Sequence, residues 1–236
     1  MPPEPPEARG TLRSCLTHPP RLPGRVTDIR QAMAQRMAKD HIGVMTDATG
    51  TTSKEELRAA LRARRRMHVE KLGGAQCRVH AIIMARIAFA CLGPGRVVAG
   101  YLSNGREVDA MPLLELACAR DIETALPHIA ERDGPMRFLS WRPGDPLVRG
   151  PYGTPQPHAG APEVAPDAII TPLVGFDSRR NRLGQGGGYY DRIFARLPDA
   201  RRIGLAWSVQ EVPELPVESW DQPLHAVVTE KTLIGE

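Results

Sequence analysis

The feature that most constrains the fold is an apolar run at residues 167–176, which is followed closely by a cluster of glycines. The run is continuous and mostly apolar, and Asp177 ends it. Such a run is typical of a strand that is buried on both faces in a parallel sheet. The glycines open residues 188–197, which we interpret as a helix. The sequence therefore predicts a strand, a tight turn and a helix in succession.

Strands and helices alternate through the rest of the chain from residue 53. Ser53 followed by Glu56 predicts a capping box that opens an amphipathic helix at Lys54. Further helices are predicted at residues 75–92 and 110–120. The predicted strands are residues 96–102, 122–126, 136–141, 201–207 and 224–228. This alternation favours an α/β fold with a mostly parallel sheet. Residues 142–166 are dense in Pro and Gly and predict a long ordered loop.

Residues 1–52 differ in composition from the segment that follows. They are rich in Pro near the start, and a short helix is predicted at residues 28–39. We interpret residues 1–52 as a flexible extension and residues 53–236 as the catalytic domain. Met45 is an alternative start of the chain.

The cysteines and the apolar segments predict a cytoplasmic protein with no membrane contact. The four cysteines form no CxxC pair and are expected to be free thiols: Cys15, Cys77, Cys91 and Cys118. The longest apolar stretch, residues 81–92, is interrupted by Arg86 and is too short to cross a bilayer. No signal-peptide core is found near the start. The sequence does not decide the oligomeric state, and a monomer is our working expectation.

The positive charge of the chain is concentrated in the first predicted helix. The net charge is +4, and residues 54–71 contain seven Lys and Arg against three Glu. Five of these cations fall on one third of the helix circumference: Lys54, Arg58, Arg62, Arg65 and Arg66. A short basic segment fits a local anion site at least as well as a nucleic-acid footprint, which is usually wider.

The glycine-rich segment, RLGQGGGYYD at residues 182–191, is the strongest functional signal. Glycines allow the backbone to approach a ligand closely, and successive N–H groups can cradle phosphate oxygens. The predicted helix adds the positive end of its dipole. Arg182 can neutralise phosphate charge, and Asp191 can hold a divalent metal that bridges phosphates. We therefore interpret the segment as a phosphate site rather than a bare turn.

Several familiar motifs are excluded. The dinucleotide fingerprint needs Gly at position 189, which is Tyr189, and no GK[ST] ending of a P-loop follows the glycines. No Ser–His–Asp or Cys–His arrangement is evident, and the seven His are scattered. His80 and His128 are interpreted as ordinary core or loop residues.

The string RLGQGGGYYDR at residues 182–192 resembles the signature of the 5-formyltetrahydrofolate cyclo-ligase family, also called methenyltetrahydrofolate synthetase. Other segments follow the order of that family over about residues 53–231. They are KEELR (54–58), YLS (101–103) with Glu107, FD (176–177), GLAWSVQ (204–210), LP (215–216), Asp221 and VVTE (227–230). The resemblance implies a three-layer α/β/α sandwich.

The resemblance also implies roles for individual residues. Lys54 and Arg182 would be the catalytic residues. The implied ATP-binding residues are Lys54, Glu55, Glu56, Leu57, Arg58, Arg182, Leu183, Gly184, Gln185, Gly186, Gly187, Gly188, Tyr189 and Tyr190. The implied substrate-binding residues are Leu102, Glu107, Gln185, Gly186, Gly187, Gly188 and Tyr189. The implied Mg²⁺ ligands are Asp191 and Asp221.

The implied reaction uses ATP and Mg²⁺ to convert 5-formyltetrahydrofolate to 5,10-methenyltetrahydrofolate, and it needs no protein nucleophile. Two positions depart from the family pattern: Gln185 replaces an aromatic or basic residue of many members, and Gln156 replaces a Glu. Two alternatives stay open. One is an ATP-dependent relative that acts on a different small molecule. The other is a non-catalytic RNA-binding protein that uses the basic helix, although no aromatic residues lie between its cations.

Overall fold

The computed structural model describes residues 53–235. The predictions for residues 1–52, for their short helix and for Cys15 lie outside this range. Within it, the first helix is α1 (Lys54–Ala90), and it begins with the predicted capping box. The backbone N–H of Glu56 donates to Ser53 Oγ at 3.2 Å, and the N–H of Ser53 donates to Glu56 Oε2 at 3.0 Å. These two bonds satisfy N–H groups that have no partner within the helix.

Helix α1 replaces the two separate helices that the sequence predicts. It runs through Gly73, where the backbone leaves the helical conformation at φ 74° and ψ 160° and kinks the helix. Glycine adopts this positive φ without a Cβ clash. The second half of α1 therefore follows the helix predicted at residues 75–92 and ends two residues earlier.

The other elements follow the predicted alternation. The helices are α2 (Met111–Cys118) and α3 (Tyr189–Arg196), and a single 3₁₀ turn spans Ser208–Gln210. The strands are β1 (Val97–Ala99), β2 (Glu123–Ile129), β3 (Met136–Ser140), β4 (Leu147–Arg149), β5 (Pro155–Pro157), β6 (Ala168–Pro172), β7 (Gly175–Phe176), β8 (Arg182–Leu183), β9 (Arg201–Leu205), β10 (Ala226–Val228) and β11 (Leu233–Gly235).

A mostly parallel sheet of seven strands forms the centre of the fold. Its order is β11-β10-β9-β6-β1-β2-β3. All neighbours from β10 to β2 are parallel, whereas the outer strands β11 and β3 pair antiparallel. From β1 the chain proceeds to one edge of the sheet, and from β6 it proceeds to the other. The boundary between β1 and β6 is therefore a switch point, where open α/β sheets place their ligands at the carboxyl ends of the strands.

Helices cover both faces of this sheet. Val98 and Ile170 pack in one core cluster with residues of α1 and α2. Their strand neighbours Ala99 and Ile169 pack in a second cluster with residues of α3. Successive residues of a strand point to opposite faces, so the two clusters mark the two sides of the sheet. The predicted three-layer α/β/α fold is confirmed.

The apolar run at residues 167–176 does not form one strand, and that prediction is wrong in its second half. Strand β6 ends at Pro172, which has no N–H to donate to a ladder. Residues 175–176 then pair with β8 in a separate antiparallel hairpin. The side-chain amide of Gln210 donates to the carbonyls of Leu173 at 2.8 Å and Val174 at 3.0 Å. These bonds satisfy the buried carbonyls where the ladder stops.

Two smaller expectations are also tested. The long loop contains the two-stranded hairpin of β4 and β5, which the sequence did not predict. Cys77, Cys91 and Cys118 are free thiols, as predicted. Within residues 53–235, no helix is both long enough and apolar enough to cross a membrane.

Candidate active site

A cavity of about 750 Å³ lies at the switch point of the sheet. Residues at or after the carboxyl ends of β1 and β6 line it, including Leu102 and Pro172. The glycine loop, defined as residues 184–188, forms another wall, and α1 contributes a third. A cavity of this size is ordinary for a small-molecule site.

Four of the five clustered cations of α1 line this cavity: Lys54, Arg58, Arg62 and Arg65. They recur at every third or fourth position, so one face of the helix presents them together. The basic face of α1 is therefore turned towards a concave site, which suits a compact anion better than an extended polyanion.

The hairpin of β7 and β8 delivers Arg182 and the glycine loop to the cavity. Buried Asp177 fixes its turn, because Oδ1 accepts from the N–H groups of Arg179 and Asn181, both at 3.0 Å. Its Oδ2 accepts from the side chain of Asn181 at 2.9 Å and from the N–H of Leu215 at 3.2 Å. This carboxylate is fully hydrogen-bonded, so it organises the hairpin rather than binding a ligand.

The glycine loop needs glycine at two of its positions. Gly186 has φ 110° and Gly188 has φ 64°, and L side chains rarely adopt either value. Gly188 is the N-cap of α3, and as a glycine it has no side chain to supply a capping bond. The N–H groups of the first turn of α3 are therefore oriented as an anion site at the cavity wall.

Arg182 is more buried than Lys54 and Arg65, two other cations of the cavity wall. Its side chain is 5% exposed, and Nη2 lies 2.5 Å from Oδ1 of Asp191. Its guanidinium carbon lies 5.7 Å from the ring centroid of Tyr190 and 5.5 Å from that of Phe194. The Nε of Arg182 is buried and has no hydrogen-bond partner in the described part of the chain.

The two predicted metal ligands both line the cavity, and each already faces a cation. Asp191 pairs with Arg182, and Asp221 accepts from Lys54 Nζ at 3.1 Å. Within residues 53–235, no three His, Cys, Asp or Glu side chains cluster as a metal cage. Mg²⁺ that travels with a nucleotide takes most of its ligands from phosphate and water, with one or two carboxylates. Each of these carboxylates could supply one ligand to a site of that kind.

The predicted substrate residue Glu107 lies in a buried ionic cluster. Its Oε1 is 3.7 Å from Nη1 of Arg65, and both side chains are 9% exposed. Burial lowers the pKa of Arg65, and the charge of Glu107 opposes that shift. Burial, with Glu107 adding to it, raises the pKa of Tyr101 well above its ordinary value, so this wall residue stays a neutral phenol.

Gln156, one of the two departures from the family pattern, lies in the cavity wall with 9% of its surface exposed. Its Nε2 donates to the carbonyl of Ile129 at 3.0 Å, and its Oε1 accepts from the N–H of Ile129 at 3.1 Å. These two hydrogen bonds attach the long loop to the end of β2. A carboxylate cannot make both bonds, because it has no donor.

Most of the predicted site residues meet at this cavity, and three do not line it. Glu55, Glu56 and Leu57 lie outside its wall. Glu56 is used by the capping box, and Leu57 packs against a core cluster beside α1. Sequence reasoning did not assign Arg62, Arg65, Tyr101, Tyr152 or Trp220 to the site, although all five line the cavity. The helical spacing of Arg62 and Arg65 from Lys54 was the available signal.

Two tyrosines join the long loop to the start of α3, directly after the glycine loop. The hydroxyl groups of Tyr152 and Tyr189 lie 2.7 Å apart. The N–H of Asp133 donates to both, at 3.0 Å and 3.1 Å respectively. Burial raises the pKa of Tyr189, and its bond to Tyr152 adds to the shift. Both residues line the cavity, so the bridge connects two segments of its wall.

Comparison with known proteins places the chain in a family. The model of the 5-formyltetrahydrofolate cyclo-ligase family matches residues 50–230. The 5-formyltetrahydrofolate cyclo-ligase of Escherichia coli (strain K12) is 38% identical over 139 residues, covering 56% of this chain and 76% of the relative. That of Haemophilus influenzae is 33% identical over 138 residues, covering 56% and 74% respectively.

Solved structures agree with the sequence matches. The NMR structure of Aquifex aeolicus 5,10-methenyltetrahydrofolate synthetase superposes with a TM-score of 0.63 at 28% identity. The match covers 76% of this chain and 91% of that one. The family match spans the described catalytic unit, from before the capping box of α1 to the end of β10. The chain belongs to the 5-formyltetrahydrofolate cyclo-ligase family.

Proposed function

We propose that this protein converts 5-formyltetrahydrofolate to 5,10-methenyltetrahydrofolate at the expense of ATP, with ADP and phosphate as the other products. One observation carries most of the proposal. A single cavity brings together the glycine loop, four cations of α1 and the buried carboxylate of Glu107. The family supports the substrate, since its relatives carry the name of this reaction.

The proposed chemistry proceeds in two steps. The formyl oxygen attacks the γ-phosphorus of ATP, an O–P bond forms, and the bond from phosphorus to the ADP oxygen breaks. N10 then attacks the activated formyl carbon, loses its proton, and phosphate leaves with the former formyl oxygen. Phosphoryl transfer of this kind depends on positioning and charge stabilisation, so it needs no protein nucleophile.

The residues of the cavity suit these steps. The glycine loop and the first turn of α3 would hold the phosphates, and Lys54, Arg58 and Arg182 would offset their charge. Leu102 and Glu107 lie after the carboxyl end of β1 and would contact the folate. Asp191 and Asp221 would hold Mg²⁺, which supplies charge neutralisation to the nucleotide.

The direct test is an absorbance assay for the methenyl product. Purified protein is mixed with 5-formyltetrahydrofolate and Mg²⁺, with and without ATP. The proposal expects product only when ATP is present. No product in the presence of bound ATP would reject the proposed substrate.

A second candidate is an ATP-dependent relative that acts on another small molecule. The observation that favours it is Gln156, whose amide stands in the cavity wall where many family members carry a carboxylate. Since Ile129 uses both ends of this amide, Gln156 shapes the wall and leaves no charge there. ATP hydrolysis that does not respond to 5-formyltetrahydrofolate would favour this candidate.

A further inference from the structure

Gln185 joins the glycine loop to two other walls of the cavity. Its Oε1 accepts from Nη2 of Arg62 at 2.5 Å, and its Nε2 donates to Oε1 of Glu107 at 3.3 Å. The same Oε1 of Glu107 lies 3.7 Å from Nη1 of Arg65. The contacts therefore run from α1 through Gln185 and Glu107 and back to α1, three residues further along the helix.

Further bonds hold the Glu107 and Arg65 end of this chain of contacts. Arg65 donates from Nη1 to the carbonyl of Leu173 at 3.5 Å, and Glu107 Oε2 accepts from the N–H of Asn104 at 2.9 Å. The neighbouring Arg58 donates from Nε to the carbonyl of Gly184 at 2.9 Å. Gln185 itself is exposed, so its side chain is ordered by these partners and not by packing.

We propose that Gln185 is a positioning residue that couples nucleotide binding to folate binding. The inference rests on the proposed function, in which the glycine loop holds the phosphates and Glu107 contacts the folate. An amide is suited to the task, because it accepts from a cation and donates to a carboxylate at the same time. A hydrophobic or basic side chain at this position cannot make both contacts.

The expected coupling is positive. A folate held by Glu107 fixes that carboxylate, and through Gln185 it fixes the glycine loop in its place beside α1. The nucleotide then binds a loop that is already ordered, so it loses less conformational entropy on binding. Linkage requires the effect to be reciprocal, so the nucleotide strengthens folate binding by the same factor.

The experiment measures the dissociation constant of 5-formyltetrahydrofolate with and without a saturating non-hydrolysable ATP analogue and Mg²⁺. For the wild-type protein we expect the analogue to tighten folate binding by about fivefold or more. Gln185→Leu should reduce this factor below about twofold, because leucine can make neither of the two polar contacts. Gln76→Leu, on an exposed part of α1, is the matched control and should keep the wild-type factor.

A double-mutant cycle tests whether Arg62 and Gln185 act together. Arg62→Met should reduce the coupling factor as Gln185→Leu does, and the double variant should reduce it no further. Additive losses would contradict the relay. A Gln185→Leu protein that keeps the wild-type factor would also contradict it.

The failure of this inference can be told from the failure of the proposed function. Turnover of 5-formyltetrahydrofolate by the wild-type protein is measured first. Absence of product rejects the proposed function, and the coupling falls with it. If product forms but the ATP analogue leaves the dissociation constant of the folate unchanged, only the coupling is rejected.

Discussion

Lys54 Nζ lies 3.1 Å from Oδ2 of Asp221, although 167 residues separate them in the sequence. Lys54 occupies the first turn of α1, where the helix dipole disfavours a cation. Asp221, and Glu218 at 3.5 Å, supply the compensating negative charge. The pair brings together a proposed phosphate ligand and a proposed Mg²⁺ ligand at one end of the cavity. A nucleotide with its metal ion offers each of them a new partner of opposite charge.

Replacing Lys54 with Met should lower kcat/KM for ATP by about 100-fold, the usual effect of removing one charge-stabilising donor from a transferring group. The loss should appear chiefly for ATP, because Lys54 contacts Asp221, a proposed Mg²⁺ ligand, and has no contact with Glu107. Steady-state kinetics with each substrate varied in turn provides the measurement. Lys71→Met on the exposed surface of α1 is the control. Equal losses from both variants would remove Lys54 from the phosphate site.

Replacing Asp191 with Asn should lower turnover strongly and leave the fold nearly intact. The change removes a proposed Mg²⁺ ligand and weakens the pair with Arg182, while the helical backbone of α3 is unaffected. Turnover is measured against Mg²⁺ concentration, and the midpoint of thermal unfolding is recorded in parallel. Asp199→Asn, exposed just after α3, is the matched control. Unchanged turnover and unchanged Mg²⁺ dependence would remove Asp191 from the metal site.

Replacing Arg65 with Met should destabilise the protein by about 3 kcal/mol, because it leaves the buried carboxylate of Glu107 without its cation. The free energy of unfolding is measured by chemical denaturation. Arg64→Met, one residue away on the exposed side of α1, should change it by less than about 0.5 kcal/mol. If the two variants are equally stable, the pair of Arg65 and Glu107 contributes nothing to folding.

The stability of the protein should fall as the pH drops below about 6.5. Burial lowers the pKa of His68, His128 and His225 in the folded state. Nearby arginines lower the pKa of His128 and His225 further. Between the folded and unfolded pKa values the unfolded chain binds more protons, so acid favours unfolding. The stabilisation is complete above the unfolded pKa and is lost as the pH falls through the folded pKa.

Chemical denaturation between pH 7.5 and 5.5 checks this pH dependence. His68→Gln should reduce its slope, because the variant has one titrating group fewer. His158→Gln, at an exposed position in the long loop, serves as the control. A stability that is constant over this interval would contradict the burial of the three histidines in neutral form.

Deleting residues 1–44 should leave turnover close to that of the full chain. The family match supports this expectation, because it begins at residue 50. The measurement is the absorbance assay on both proteins at equal concentration. A large loss of turnover would show that the extension takes part in the working enzyme.

Local signals in the sequence predicted much of the fold. The capping box placed the start of α1 correctly, because Ser53 and Glu56 satisfy each other's backbone within one turn. The break after Pro172 was missed, because apolar composition persists through residues 173–176 while the ladder partner changes. Strand β11 was missed for a related reason: three residues give no usable period, and its pairing with β10 is decided by tertiary structure.

The candidate site was predictable where a motif carries the chemistry, and not where distant residues meet. The glycine loop and Arg182 belong to one contiguous segment. The relay from Arg62 through Gln185 to Glu107 joins positions 123 and 78 residues apart. Such contacts follow from the order of the strands, which brings the end of β1 beside the hairpin of β7 and β8. The spacing of these residues along the chain does not predict that arrangement.

The proposed transfer of the γ-phosphoryl group is tested by following the formyl oxygen of the substrate. 5-Formyltetrahydrofolate labelled with ¹⁸O in the formyl group is converted with unlabelled ATP, and the inorganic phosphate is analysed by mass spectrometry. Transfer of the γ-phosphoryl group to that oxygen predicts one ¹⁸O atom in each phosphate released with methenyl product. Phosphate without the label would show that ATP is cleaved by water, and it would contradict the proposed reaction.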